Sequence, residues 1–146
     1  RHLVTATGFF REDEVKIAAE LVRERLEKGR ASGYEFVMAS KAGRLMGYGC
    51  YGPIPCTVAG YDIYWIAVSP EFQGKGLGRV LLARMEQRVM DAGGRAIYVE
   101  TASQPKYAPT RAFYERCGYT VAATLPAFYS PGDDKVIYSK PLPLSQ

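Results

Sequence analysis

The chain has 146 residues, of which 47% are hydrophobic and 23% charged, and its formal net charge is +4. That length fits one domain with a core of its own, and the balance excludes an intrinsically disordered chain. The positive excess forms no dense Lys/Arg block, no apolar run is long enough to cross a bilayer, and no signal-peptide pattern is read at the start, so neither nucleic acid nor a membrane is expected as a partner.

Arg1 rather than Met opens the sequence, so further residues are expected ahead of it. Residues 1–10 read as the tail of a helix. Val15, Ala18, Leu21, Val22 and Leu26 then form an apolar stripe that predicts a helix over 12–28, closed by Gly29 and Gly33. Tyr34 to Ala39 and Leu45 to Tyr51 predict a strand hairpin turning at 41–44, with Pro53 and Pro55 ending the second strand. Tyr61 to Val68 is a near-continuous apolar and aromatic run, the pattern of a buried central strand, and Ser69-Pro70 ends it.

A glycine-rich turn follows from Gln73 to Gly78. Leu77, Leu81, Met85 and Val89 recur every four residues and predict a helix stopped at Gly93-Gly94. Ala96 to Thr101 reads as a strand. Pro109 suits the first turn of a further helix, which Gly118 caps. Tyr119 to Leu125 and Lys135 to Lys140 predict a closing antiparallel pair about the polar turn 131–134. The sum is one α/β domain over 1–146, a mixed sheet flanked by helices.

Cys50, Cys56 and Cys117 contain no CxxC pair, and His2 is the only histidine. Zinc-ligand spacing is therefore missing, a Cys-His nucleophilic site is disfavoured, and no metal is expected. Three reduced thiols fit a cytoplasmic chain.

The segment Gln73-Gly74-Lys75-Gly76-Leu77-Gly78-Arg79 lies between a strand and a helix. Free amides at a helix start, with the dipole behind them, favour an anion. Glycines let the backbone come close to phosphate oxygens, while Lys75 and Arg79 add charge at the rim. The segment lacks the GK[ST] ending of a Walker loop. It also fails the dinucleotide pattern, because Arg79 stands where the last glycine is required.

Gln73-x-x-Gly76-x-Gly78 resembles the pyrophosphate-binding signature of the GNAT superfamily of N-acetyltransferases. Ile66-Ala67-Val68-Ser69-Pro70 is similar to that family's fourth strand, and Ala112-Phe113-Tyr114 with Cys117-Gly118-Tyr119 resembles its FYxxxGF/Y segment. The likeness runs from about Tyr34 to Lys140. It implies the acyl-CoA N-acyltransferase fold, a mixed, mostly antiparallel sheet flanked by helices, with acetyl-CoA as co-substrate and a primary amine as acceptor. The sequence departs from the family at Tyr107, where many members carry Asn, and the family's first strand has no counterpart ahead of the 12–28 helix.

By the same resemblance, the pantetheine arm runs between splayed fourth and fifth strands and pairs with backbone at Ile66, Ala67 and Val68. The diphosphate sits on Gln73 to Arg79, with Leu77 in the first turn and Phe113 and Tyr114 alongside. An amine attacking a thioester needs a proton acceptor, an oxyanion donor and a proton for the leaving thiolate. Asp62 and Glu100 are the candidate bases, a backbone N–H near Ile66 to Val68 the oxyanion donor, and Tyr114 the acid. Tyr51, Tyr64, Trp65, Tyr107, Phe128 and Tyr129 are candidate walls for a cationic acceptor. Transfer of a longer acyl group, a non-catalytic acyl-CoA sensor and a homodimer all stay open at this level.

Overall fold

The computed structural model describes residues 33–42 and 44–143. The expected helix over 12–28, the segment 1–10 and the absence of a preceding strand all lie outside the described residues. Within them the chain runs β1 (Glu35–Lys41), β2 (Arg44–Pro53), β3 (Gly60–Val68), α1 (Leu77–Asp91), β4 (Ala96–Ala102), α2 (Ala108–Arg116), β5 (Thr120–Ser130) and β6 (Asp133–Pro141). Short 3-10 turns at Pro70–Phe72 and Pro105–Tyr107 precede the two helices.

The strands form one six-stranded sheet in the order β1-β2-β3-β4-β6-β5. Every neighbouring pair is antiparallel except β3 and β4, which run parallel because the α1 crossover joins them. The mixed, mostly antiparallel sheet flanked by helices is therefore present. β6 does not close the sheet beside β5 at an edge; it inserts between β4 and β5, an order that element lengths alone do not specify.

The four-residue apolar period of α1 buries Leu81, Leu82, Met85 and Val89. They join Val37, Tyr51, Ile63, Ile97 and Val99 from the sheet in one core, each buried side chain contributing about 1.5–3 kcal/mol. The helix packs close over glycines in β2: a Cβ on Gly47 would stand 3.1 Å from Leu81 Cδ1, and one on Gly49 would stand 2.6 Å from Met85 Sδ. At its far end α1 is closed by Gly93 and Gly94, whose amides donate to the carbonyls of Met90 (3.0 Å) and Val89 (2.8 Å).

Polar groups at the core edge are paired. Glu86 accepts hydrogen bonds from Tyr119 Oη at 2.8 Å and Lys140 Nζ at 3.1 Å, and Lys140 also reaches the Cys117 carbonyl at 2.9 Å, which ties α1, the end of α2 and β6 together. Cys50 is fully buried, Cys56 exposed and Cys117 partly buried, all as free thiols. Burial, with Glu35 nearby, pushes the Cys50 thiol up to about 12, so it stays protonated.

Two strands run past their expected ends. β2 continues to Pro53, which pairs with Tyr61 as the last residue of the strand. β5 continues through Pro126 to Ser130, which is tolerated because β5 is the sheet edge and Pro126 has no inward amide to supply. The register slips between Leu125 and Ser130, where Ala127 takes a positive φ of 53° and donates its amide to Asp134 Oδ1 at 2.8 Å.

Candidate active site

The parallel pairing of β3 and β4 extends only from Gly60↔Ala96 to Ile63↔Val99. Beyond that point β3 continues to Val68 and β4 to Ala102, so the two strands part and the sheet opens into a cleft. On its other edge β3 remains paired, since Ile66, Ala67 and Val68 oppose Gly49, Tyr48 and Gly47 of β2. The cleft-facing edge of Ile66–Val68 thus lies beyond the end of the β3–β4 ladder. Such an edge accepts an extended ligand as an added strand.

At the mouth of the cleft the glycine-rich turn leads into α1. Gly74 and Gly76 have φ of 76° and 81°, a left-handed conformation that glycine adopts without a Cβ penalty. Gly76 caps α1 without a side-chain hydrogen bond, and the first turn carries no acidic residue, so the opening amides are free to meet an anion. Gln73 turns back rather than outward: its Nε2 donates to the Val68 carbonyl at 2.9 Å and clamps the turn onto the end of β3. Arg79 donates from Nη2 to the Arg116 carbonyl at 3.2 Å.

A cavity of about 650 Å³ lies against this turn. Ile66 and Val68 form its β3 wall; Gln73, Gly74, Gly76, Leu77, Gly78 and Arg79 form its floor, with Phe113 and Tyr114 opposite. Ala67 is buried with its side chain out of the cavity, so it offers only backbone. Lys75 is exposed and outside the lining. A second cavity of about 390 Å³ shares Ile66, Thr110 and Tyr114 with the first, so the two meet at those residues. Its other walls include Tyr64, Trp65, Glu100, Gln104, Tyr107 and Tyr129.

Tyr114 stands at that junction. Its ring packs edge-on against Phe113 at 5.2 Å and Tyr119 at 5.6 Å, which fixes its direction. The residue is only 5% exposed, and burial raises its pKa well above the usual phenol value. Among the described residues no hydrogen bond satisfies its hydroxyl, yet no fully buried side-chain polar atom is unpaired, so the hydroxyl opens onto the cavities.

The two candidate bases are placed differently. Glu100 lines the smaller cavity and forms an ion pair with Lys135 of β6. Asp62 sits in the still-paired part of β3, opposite Tyr98, and does not line the cavity. Burial raises the Asp62 pKa, Glu100 adds to the rise, and Lys135 opposes it. Tyr64, which lines the same cavity as Glu100, is pushed up to about 12, first by burial and then by Asp62.

Of the expected walls, Tyr64, Trp65, Tyr107 and Tyr129 line the cavity, whereas Phe128 is exposed outside the lining and Tyr51 belongs to the core beneath the sheet. The expectation for Tyr51 is corrected by strand alternation: Gly47, Gly49 and Tyr51 share the β2 face that meets α1, and the extra residue of the bulge is Tyr64 of β3. Gln104, Lys106 and Thr110 are among the residues that line the site unforeseen, and Lys135 joins it from outside the lining through its ion pair with Glu100. Asp133, known beforehand only as part of a turn, is buried and accepts hydrogen bonds from the Ser103 amide (3.2 Å) and Gln104 Nε2 (2.8 Å). Among the described residues no group of three His, Cys, Asp or Glu could hold a metal ion, and no helix is long and apolar enough to cross a membrane.

A family model described as the acetyltransferase (GNAT) family matches residues 6–119. A crystal structure from Desulfovibrio desulfuricans, itself assigned to the GNAT family, is similar at 51% identity over 95% of this chain and 87% of that one, with a TM-score of 0.94. The ribosomal-protein-S18-alanine N-acetyltransferase of Escherichia coli shares 20% identity over 99% of this chain and 86% of its own, with a TM-score of 0.74. An aminoglycoside 6′-N-acetyltransferase complexed with coenzyme A shares 18% identity over 94% and 97%, with a TM-score of 0.68. For the last two the likeness is one of fold. No curated protein matches the sequence.

Proposed function

The chain belongs to the acetyltransferase (GNAT) family, and from that premise we propose that it transfers an acetyl group from acetyl-CoA to a primary amine of a small molecule or peptide. The observation that carries this reading is the meeting of two cavities at Tyr114 and Ile66 within the parted strands. One cavity has what a coenzyme arm and diphosphate require: a strand edge beyond the end of the β3–β4 ladder, free helix-start amides and glycines with nothing within 4 Å of an added Cβ at positions 74 and 76. The other has aromatic walls and a carboxylate suited to an amine.

When bound, acetyl-CoA supplies the activated acyl group. The backbone of Ile66–Val68 holds the arm in line and offers amides to the oxygen that gains negative charge. Fixing the two reactants side by side is worth up to about 7–11 kcal/mol. Glu100 receives the ammonium end of the acceptor; the nitrogen sheds one proton to solvent to become nucleophilic, and Glu100, directly or through water, takes the second as the C–N bond forms. A C–N bond forms, the C–S bond breaks, and the sulfur leaves with the electron pair.

Tyr114 faces that sulfur. Because burial makes the phenol a weaker acid than an ordinary tyrosine, and a thiol ordinarily titrates near 8.5, Tyr114 keeps its proton and stabilises the thiolate by donating a hydrogen bond. The proton that finally completes the thiol is the one released by the amine.

The test is amine-dependent thiol release. The protein is incubated with acetyl-CoA and a panel of monoamines, amino acids, N-terminal peptides, polyamines and aminoglycosides. Release that requires an acceptor supports the reading. Tight coenzyme binding without turnover for any amine would identify a non-catalytic acyl-CoA sensor, and faster turnover with a longer acyl-CoA would replace the acetyl group.

A further inference from the structure

At the acceptor cavity Glu100 is in the lining, while Asp62 and Lys135, its charged neighbours on the flanking strands, lie just outside it. Asp62 on β3, Glu100 on β4 and Lys135 on β6 lie within electrostatic reach of one another, and β3, β4 and β6 are consecutive in the sheet. The Lys135 ammonium is ion-paired to Glu100 and stands 4.4 Å from the centroid of the Phe128 ring. Its side chain is only 17% exposed, so this is no freely solvated surface lysine. A carboxylate with an aromatic face is the combination that recognises an ammonium group. Here the protein fills it with its own.

The remaining charges do not restore an acidic site. Asp133 also lines the cavity and keeps its charge, since the Ser103 amide and the Gln104 side chain that donate to it are neutral, but Lys106 offsets it. Lys106 lines the same cavity with its ammonium 5.1 Å from the centroid of the Tyr107 ring. Arg111 donates to the carbonyls of Ala102 (2.6 Å) and Gln104 (3.0 Å), adding positive charge behind that wall. Two carboxylates and one ammonium leave the Asp62–Glu100–Lys135 cluster one negative charge, which a single incoming ammonium cancels.

We propose that Lys135 is a specificity-determining residue: by occupying Glu100 it tunes the cavity to acceptors whose reactive amine is their only positive charge, and it disfavours polycationic amines. The inference rests on the reading that this cavity takes an amine. A dication entering the cluster would leave excess positive charge in a partly desolvated place. Without Lys135 the same cluster would carry two negative charges and match a dication.

The experiment compares kcat/KM for spermidine with kcat/KM for a peptide whose only cation is its N-terminal amine. The wild-type protein is expected to prefer the peptide. Lys135→Met should raise the spermidine-to-peptide ratio by about tenfold or more. Lys135→Arg, which keeps the charge, should hold the wild-type ratio. Adding Glu100→Gln to Lys135→Met should remove the gain, and coenzyme A affinity should stay unchanged throughout. A wild-type preference for spermidine, or a ratio that Lys135→Met leaves alone, overturns the assignment of Lys135 while leaving the acetyltransferase reading intact. Absence of turnover with every amine removes both.

Discussion

Tyr114 does two jobs that a single substitution separates. Its ring is part of the core and packs on Phe113 and Tyr119, while its hydroxyl opens onto both cavities. Tyr114→Phe keeps the ring and removes the donor. The melting temperature should therefore stay close to the wild-type value, coenzyme affinity should change less than threefold, and kcat should fall by about 100-fold. An unchanged kcat, measured with saturating acetyl-CoA, would take the hydroxyl out of the reaction. Asp62 gives a second test at this scale. Burial and Glu100 raise its pKa above the unfolded value, so the native chain holds that proton more tightly than the unfolded chain does. The resulting stability is fully present below the unfolded pKa and is lost as pH rises through the folded one. Asp62→Asn should accordingly raise the melting temperature at pH 8 by about 1–2 °C. That gain should vanish below pH 4, as pairwise melting curves will show. Tyr114 was legible in the sequence because the Phe-Tyr…Gly-Tyr frame marks one tyrosine out of eleven. Lys135 was not, because its partner lies across β4 and β6, and nothing local reveals that these strands are adjacent.

At the scale of elements, the glycine-rich turn is the part whose role is set by backbone conformation. Gly76 sits at φ 81° with nothing within 4 Å of an added Cβ, so Ala fits the space but is strained by about 1 kcal/mol. Gly76→Asp adds the same strain and also brings negative charge to the free amides of α1. Coenzyme A titrations should show a modest loss for Gly76→Ala and a loss of 100-fold or more for Gly76→Asp, with circular dichroism unchanged in both. Equal losses in the two variants would mean that the turn acts through its shape and not as an anion seat. This helix and turn were readable at sequence level, since a four-residue apolar period and glycine punctuation are local signals. The β1–β2 hairpin and α2 were readable for the same reason. What was not readable is how far β5 runs, because Pro126 is a stop signal except on a sheet edge, and the edge is fixed only when β6 inserts beside β4. Gln73 lines the larger cavity, but its inward bond to Val68 depends on how β3 meets the turn, a tertiary detail.

For the whole molecule, both cavities rest on β3 and α2; the larger adds the turn into α1, whereas the smaller adds β4, the segment before α2 and the β5–β6 end. The opening between β3 and β4 puts both in one continuous cleft, and these added elements are what tell them apart. Stability should report the first cavity separately from the second. A ligand that binds only the folded chain stabilises it by about 2.7 kcal/mol at 100 times its dissociation constant, and for a domain of this size that corresponds to about 5–10 °C in melting temperature. Coenzyme A at that excess should therefore raise the midpoint by this amount in the wild-type chain and equally in Lys135→Met, whose change lies at the other cavity. Gly76→Asp should show no rise at the same concentration. Because the anion seat is partly exposed, raising the salt from 50 to 500 mM should reduce the shift through weaker binding. A coenzyme-dependent rise that survives in Gly76→Asp, or one that disappears in Lys135→Met, would show that the two cavities are not divided between these elements as the parted strands indicate.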